Sequence, residues 1–134
     1  MVWPLPERPI RWEALPCPLA AGWALNRLWE LPKRVDNGLS HGGFSAAAYP
    51  APDDRLWLVS DASRGYLLPV GPLATALRTG AELQVSLRLV LRDQSGTPLP
   101  SSFDAEGLLL TGDHGVWIGS GGSVAAGVRG RRWG

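Results

Sequence analysis

The chain lacks the features that mark disulfide-stapled, membrane-spanning or nucleic-acid-binding proteins. It has one cysteine, Cys17, so no disulfide can form within it, and no CxxC pair indicates a zinc site. No apolar run approaches the roughly 20 residues that span a bilayer. The net charge of +1 gives no electrostatic reason to expect binding to nucleic acid or to an anionic membrane. Because Cys17 has no second cysteine to pair with, we expect it to act as a small buried apolar residue with a structural role.

The N-terminus also lacks the continuous apolar core of a secretory signal peptide. Glu7, Arg8, Arg11 and Glu13 interrupt it, and prolines are scattered between them. A cytoplasmic location is therefore the default expectation.

What the chain does have is a composition typical of a turn-rich β protein. Hydrophobic residues make up 45% of it, and it contains 17 glycines and 12 prolines. We expect an all-β fold of antiparallel meanders, in three parts. Residues 1–34 form an irregular segment rich in Pro and Trp, residues 35–121 form the β region, and residues 122–134 form a disordered Gly/Ser/Arg tail.

Short apolar runs between turn residues predict the strands of the β region. The clearest lies over residues 82–92, where Leu83 and every second residue after it to Leu91 are apolar, so that one face is buried. Residues 26–31 favour a strand, with a short helix as the alternative. The other predicted strands lie over residues 44–49, 56–60, 66–70, 108–110 and 116–118.

Two stretches of the chain resemble each other at an offset of 60 residues. Residues 53–61 and 113–121 share a turn aspartate, a tryptophan (Trp57 and Trp117) between aliphatic residues, and a serine. This similarity fits two successive blades of a β-propeller. It also fits two unrelated hairpins that happen to share turn and tryptophan chemistry.

Three acidic residues are candidates for chemistry. Asp104 and Glu106 are two apart, which places both carboxylates on one face of an extended segment, where they can share Ca²⁺ or act as an acid–base pair. The alternative is a solvated turn. Asp61 follows a predicted inner strand and either lines a central cavity or caps a turn.

The remaining candidates carry weaker patterns. His41 precedes Gly42-Gly43, where a backbone without side chains can approach a ligand closely, whereas His114 lies in a plain hairpin turn. Ser45 has no GxSxG motif around it, so a hydrolase triad of that type is not supported.

An ordered set of short motifs resembles the family described as esterase-like activity of phytase. The motifs are Gly42-Gly43-Phe44-Ser45, residues 55–61 followed by Arg64-Gly65, residues 104–108, and Gly115-Val116-Trp117-Ile118. They cover residues 35–121. The resemblance implies a β-propeller-like fold of which this chain holds about two blades, and hydrolysis of phosphate or carboxylic esters by metal- or carboxylate-activated water.

The resemblance also implies site residues. Asp61, Asp104 and Glu106 would be catalytic groups or ligands of Ca²⁺, and Arg64 would bind the small ester substrate. His41, which precedes the two glycines, is the second candidate for binding this substrate. The family pattern has an acid where this chain has Gly121. We therefore expect a truncated member of the family, whose pattern breaks near residues 119–122.

Two further expectations follow from an open set of blades. Unpaired sheet edges can lead the chain to self-associate. The chain can also be inactive alone, or be a non-catalytic module that binds a sugar or a partner protein with Trp57 and Trp117 as stacking platforms.

Overall fold

Antiparallel strands make up most of the regular structure. The computed structural model describes residues 2–9, 24–33, 40–62, 64–113 and 115–121. Its strands are β1 (Trp3–Pro4), β2 (Glu7–Arg8), β3 (Leu28–Trp29), β4 (Phe44–Ala48), β5 (Leu56–Ser60), β6 (Tyr66–Gly71), β7 (Gln84–Val85), β8 (Leu89–Val90), β9 (Ala105–Leu110) and β10 (Val116–Ser120). A 3₁₀ turn covers Ala51–Asp53, and helix α1 covers Leu73–Thr79. The all-β, antiparallel prediction is confirmed.

The largest sheet has the order β1-β7-β6-β5-β4, and β8 also pairs with β6. β4, β5 and β6 form the meander that the sequence predicts, and every pairing in this sheet is antiparallel. Two smaller sheets pair β9 with β10 and β2 with β3. The described residues form no closed barrel, and the propeller stays a prediction.

β6 is the central strand of the largest sheet, and both of its faces are buried. Leu67 and Leu68 are 2% and 0% exposed and point to opposite sides of the sheet. Leu67 belongs to a first cluster, between this sheet and the β9–β10 hairpin. Leu68 belongs to a second cluster, which Trp3 and Leu5 of the N-terminal segment help to cover. The segment is thus part of the packed structure, and the predicted boundaries at residues 34 and 121 stay predictions.

The predicted strand over residues 82–92 is wrong as a single strand. β7 pairs with Val70 and Gly71, β8 pairs with Tyr66 and Leu67, and the register shifts by one residue between them. Pro69 lies opposite this interruption and has no N–H to donate to the ladder, although its carbonyl accepts from the amide of Ser86 at 3.0 Å. The shift turns Leu87 outward, and it is 50% exposed instead of buried.

Helix α1 was not expected from the sequence, because its cap comes from elsewhere in the chain. Asp54 lies 20 residues before Ala74 of this helix, and its carboxylate accepts hydrogen bonds from the amides of Ala74 (2.5 Å) and Thr75 (3.1 Å) and from the Thr75 hydroxyl (2.6 Å). The Tyr49 hydroxyl also donates to it, at 2.9 Å. These bonds satisfy amides of the first helical turn, which have no partner within the helix.

The same bonds make stability depend on pH and on Asp54. The hydrogen bond from Thr75, followed by those from the backbone, lowers the pKa of Asp54 to about 2. A lowered pKa stabilises the fold above the ordinary carboxyl pKa, and this contribution is lost as the pH falls through 2. We expect Asp54→Ala to lower the melting temperature by about 3–6 °C at pH 7, and by less at pH 2.

The matched control for Asp54→Ala is Asp53→Ala. Asp53 is the preceding residue, is exposed and makes none of the hydrogen bonds to α1. Thermal unfolding followed by circular dichroism at both pH values measures the difference. Equal melting temperatures for the two variants at pH 7 would contradict the capping role.

The two hairpins β4–β5 (the first hairpin) and β9–β10 (the second hairpin) are built alike. Each has a β-bulge near the beginning of its first strand, which leaves Ser45 unpaired opposite Ser60 in one and Glu106 unpaired opposite Ser120 in the other. The offset is 61 residues in the first strand of each hairpin and 60 in the second. The sequence repeat is therefore a structural repeat.

The backbone hydrogen bond that closes each hairpin beyond its bulge is repeated as well. The amide of Asp61 donates to the carbonyl of Gly43 at 2.8 Å, and the amide of Gly121 donates to the carbonyl of Asp104 at 3.0 Å. These four residues occupy corresponding positions. Chance similarity of turn and tryptophan chemistry does not predict a shared bulge and a shared closing bond.

Several predictions lie outside the described residues. They are those for Cys17, for His114 and for the tail over 122–134. Among the residues that the structure describes, no helix has the length and apolar character needed to cross a membrane.

Candidate functional site

The three predicted acids lie at one end of the paired hairpins. β4 and β9 begin there, and β5 and β10 end there; we call it the carboxylate end. Asp61 follows β5, Asp104 precedes β9, and Glu106 lies on the bulge of β9. Asp61 and Glu106 are exposed and Asp104 is half-buried. Within the described residues, none of these three carboxylates has a hydrogen-bond or ion-pair partner, so all three are available to a ligand.

Glycine at position 43 makes room for the Asp61 carboxylate. A Cβ atom at Gly43 would overlap Oδ1 of Asp61, and Gly43 has a φ of +63°, which L side chains rarely adopt. The carboxylate of the first hairpin therefore lies against bare backbone at the beginning of β4. Gly43 therefore leaves room for the carboxylate of Asp61, and this role does not depend on a ligand.

The second hairpin also places a carboxylate against a glycine, but at a different position of the repeat. Gly121 corresponds to Asp61, and a Cβ atom at Gly121 would overlap the carboxyl group of Glu106. Any side chain at position 121 would compete with Glu106 for this volume. The absence of a side chain at Gly121 thus leaves room for the carboxyl group of Glu106. In the second hairpin the carboxylate belongs to a residue of β9, whereas in the first hairpin it belongs to Asp61, which follows β5.

The bulge changes the geometry expected for Asp104 and Glu106. Strict alternation would place the two side chains on one face of an extended segment. Glu106 is the extra residue of the bulge, so alternation does not continue through it. The two carboxylates differ in exposure, and their placement on one face stays a prediction.

Ser45 joins the two hairpins at the carboxylate end. It is the bulged residue of β4, and its Oγ donates a short hydrogen bond to the carbonyl of Ala105, the residue between Asp104 and Glu106. Sequence reasoning treated Ser45 only as a nucleophile without a supporting motif. The signal that could have found its role is the 61-residue offset, which aligns Ser45 with Glu106.

Arg64 lies close to Asp61 in the turn between β5 and β6. It is exposed, has a φ of +75°, and has no ion-pair partner among the described residues. A guanidinium without an ion-pair partner can bind a phosphate group through two parallel N–H donors. The predicted role of Arg64 in substrate binding stays a prediction.

His41 is buried, in contrast to the other candidates. It is 7% exposed, and its ring packs edge-on against Trp3 and Tyr66 at centroid distances of 5.9 and 6.4 Å. Its Nδ1 atom is buried without a partner in the described part of the chain. Burial first, and then the charge of Arg88, lowers the pKa of His41 below its ordinary value. Direct substrate contact through His41 stays a prediction that this position does not favour.

A separate cavity lies at the opposite end of the hairpins, where their turns meet. It has a volume of about 350 Å³ and is lined by residues from both turns, among them Asp53, Arg55, Trp57 and Thr111. Trp57 is half-buried and packs against the first cluster, whereas Trp117 is 48% exposed. None of the predicted catalytic residues lines this cavity, so we treat it and the carboxylate end as separate features.

The arrangement of acids bears on the calcium prediction. The residues that the structure describes include no group of three or more His, Cys, Asp and Glu side chains placed to hold a metal ion. Asp61, Asp104 and Glu106 therefore do not fit a three-carboxylate calcium site as they lie.

The fold and the site together define an antiparallel β protein with repeated hairpins that carry acids at one end. Residues 40–129, about two thirds of the chain, match the family Phytase-like, described as esterase-like activity of phytase. The chain belongs to this family, as its motifs predict, and the match indicates a hydrolase-like function. No match is found among curated proteins or among solved structures.

Proposed function

We propose that the carboxylate end takes part in hydrolysis of a phosphate or carboxylic ester. The single observation that carries the proposal is the repeated, bulged hairpin end, which presents Asp61, Asp104 and Glu106 without partners in the described residues. Bulges are frequent next to active sites, where they redirect a side chain out of the strand pattern. Family membership supports the reaction class.

In this proposal Glu106 is the general base. It is exposed and lies on the bulge, where a water molecule can reach it. Glu106 removes a proton from that water as the water oxygen bonds to the phosphorus or carbonyl carbon. The bond to the leaving oxygen breaks, and the proton passes to that oxygen, directly or through solvent. In the same proposal Arg64 binds the anionic oxygens of a phosphate ester, and Asp104 and Asp61 contribute from their separate positions at the carboxylate end.

The test is ester hydrolysis by the purified chain, with p-nitrophenyl phosphate and p-nitrophenyl acetate as probes, with and without added Ca²⁺. We expect Glu106→Gln to lower kcat about 10²-fold or more, because it removes the base while keeping the shape of the side chain. Asp104→Asn and Asp61→Asn are expected to lower it less.

Glu82→Gln is the matched control for these activity variants. Glu82 is an exposed acid in the segment between α1 and β7, away from the carboxylate end, and its replacement is expected to leave the rate unchanged. Melting temperatures of all variants establish that they are folded. Turnover that is equal in the chain and in Glu106→Gln would sink the proposal.

A further inference from the structure

Gly42, which precedes β4, is held by two hydroxyl groups of the neighbouring strands. The Ser60 hydroxyl donates to the carbonyl of Gly42 at 2.6 Å. The Tyr66 hydroxyl accepts from the amide of Gly42 at 3.1 Å and donates to its carbonyl at 3.3 Å. A carbonyl oxygen has two lone pairs, so it can accept both bonds. Side chains of β5 and β6 therefore fix the backbone that leads into β4.

Both hydroxyl-bearing residues lie in the interior. Ser60 is 0% exposed and Tyr66 is 3% exposed. The Tyr66 ring packs edge-on against the rings of His41 and Phe44, and the guanidinium carbon of Arg88 lies 5.0 Å from its centroid. Groups that are buried in this way do not contact a dissolved substrate. Any effect of these hydroxyls on hydrolysis must therefore pass through the backbone that they hold.

Ser60 also bonds to the residue that follows Asp61. Its Oγ accepts from the amide of Ala62 at 3.0 Å, so one hydroxyl connects the turn after β5 to Gly42. Between these two bonds, the amide of Asp61 donates to the carbonyl of Gly43 at 2.8 Å. A Cβ atom at Gly43 would lie 3.1 Å from the amide nitrogen of Ala62. The backbone on both sides of Asp61 is thus fixed against the two glycines.

We propose that Ser60 and Tyr66 are positioning residues for the Asp61 carboxylate. The inference rests on the proposed function, in which Asp61 contributes to ester hydrolysis at the carboxylate end. The carboxylate lies in the space that Gly43 leaves open, so its place depends on the path of the glycine backbone. Glycine has the widest choice of backbone conformations, and the two hydroxyls select one of them. A carboxylate held in one geometry supports a reaction better than a mobile one.

Loss of either hydroxyl leaves backbone groups without partners in the described part of the chain. Without the Ser60 hydroxyl, the Ala62 amide has no acceptor and the Gly42 carbonyl keeps only the longer bond from Tyr66. Without the Tyr66 hydroxyl, the Gly42 amide has no acceptor. Such groups regain hydrogen bonds by moving towards water. That movement displaces the glycines from beneath the Asp61 carboxylate.

The first experiment measures hydrolysis of p-nitrophenyl phosphate and p-nitrophenyl acetate by the full chain and its variants. We expect Ser60→Ala to lower kcat by the same factor as Asp61→Asn, with KM changed less than about twofold. The double variant Ser60→Ala/Asp61→Asn is expected to be no slower than Asp61→Asn, because the serine acts through that carboxylate. Losses that multiply in the double variant would overturn the proposal.

Tyr66→Phe is the second variant, because it removes the hydroxyl and keeps the buried ring. We expect it to lower kcat in the unmodified chain and to leave the rate of the Asp61→Asn variant unchanged. Tyr49→Phe is the matched control. The Tyr49 hydroxyl bonds to Asp54 at the opposite end of the hairpins, so its loss is expected to leave kcat unchanged. Equal losses in Tyr66→Phe and Tyr49→Phe would also overturn the proposal.

Amide hydrogen exchange, followed by NMR, tests the placement of Asp61 without requiring turnover. The Asp61 amide bonds to Gly43 and to neither hydroxyl. We expect its exchange to be about fivefold faster or more in Ser60→Ala and in Tyr66→Phe, with the Leu68 amide of β6 unchanged. Unchanged exchange at Asp61 in both variants would overturn the positioning role. Faster exchange at Asp61 in a chain that hydrolyses neither ester would support its positioning and contradict the proposed function.

Discussion

Leu67→Ala is expected to lower the free energy of unfolding by about 2–5 kcal/mol, a large part of the roughly 5–15 kcal/mol typical of a domain. Leu67 is 2% exposed and lies in the central strand β6, among the residues of the first cluster. Truncation would remove transfer energy and leave a cavity between β6 and the second hairpin. That hairpin has no second layer among the described residues to compensate for the loss.

Chemical denaturation followed by circular dichroism measures this effect. Leu87→Ala is the control, because Leu87 is 50% exposed and its truncation is expected to change stability by less than about 0.5 kcal/mol. A loss below about 1 kcal/mol for Leu67→Ala would mean that the second hairpin is not packed on β6 as described.

Gly65→Val is expected to destabilise the chain by about 1–3 kcal/mol more than Gly96→Val. Both glycines have positive φ values, +66° and +85°, which a β-branched residue tolerates poorly. Only Gly65 is also tightly packed. A Cβ atom there would lie 2.9 Å from Cδ1 of Leu91 and 3.4 Å from Cδ1 of Phe103, both in the first cluster.

Gly96 serves as the control because a Cβ atom there would meet nothing within 4 Å. Its replacement isolates the cost of the backbone conformation, and the difference between the two variants reports the overlap with the cluster. Denaturation midpoints measured at equal slopes give this difference. Equal losses in the two variants would show that the cluster yields to the new side chain without cost.

Much of the fold could be predicted from short-range patterns. The strand over residues 56–60 agrees with β5 at both ends, and β6 extends its predicted run by one residue. Apolar runs bounded by turn residues predict such strands well because packing and turn chemistry act in the same direction. The repeat was visible for the same reason, since Trp57 and Trp117 occupy equivalent strand positions.

The parts that the sequence did not predict depend on contacts between distant residues. Pro69 interrupts the pairing of a segment that is some 15 residues away along the chain, so perfect alternation over 82–92 is misleading. Helix α1 is short and takes its cap from Asp54 instead of from a neighbouring residue. Neither the interruption opposite Pro69 nor the distant cap of α1 can be recognised from the residues next to it in the sequence.

The candidate site was predictable as a set of residues but not as a geometry. The motifs selected Asp61, Asp104 and Glu106, and all three lie at one end of the hairpins. Their relation depends on the bulge at Glu106 and on the space left by Gly43 and Gly121. A bulge is a property of strand pairing, so the sequence of one strand alone does not reveal it.

The shared backbone frame of the two hairpins has a consequence for how this family can diversify. The bulge and its closing hydrogen bond involve main-chain atoms, so they tolerate Ser45 in one unit and Glu106 in the other. A mutation at the bulge can therefore exchange a hydroxyl for a carboxylate without requiring a new strand register. One repeat can then acquire a different functional group at its bulge while the other repeat keeps its own.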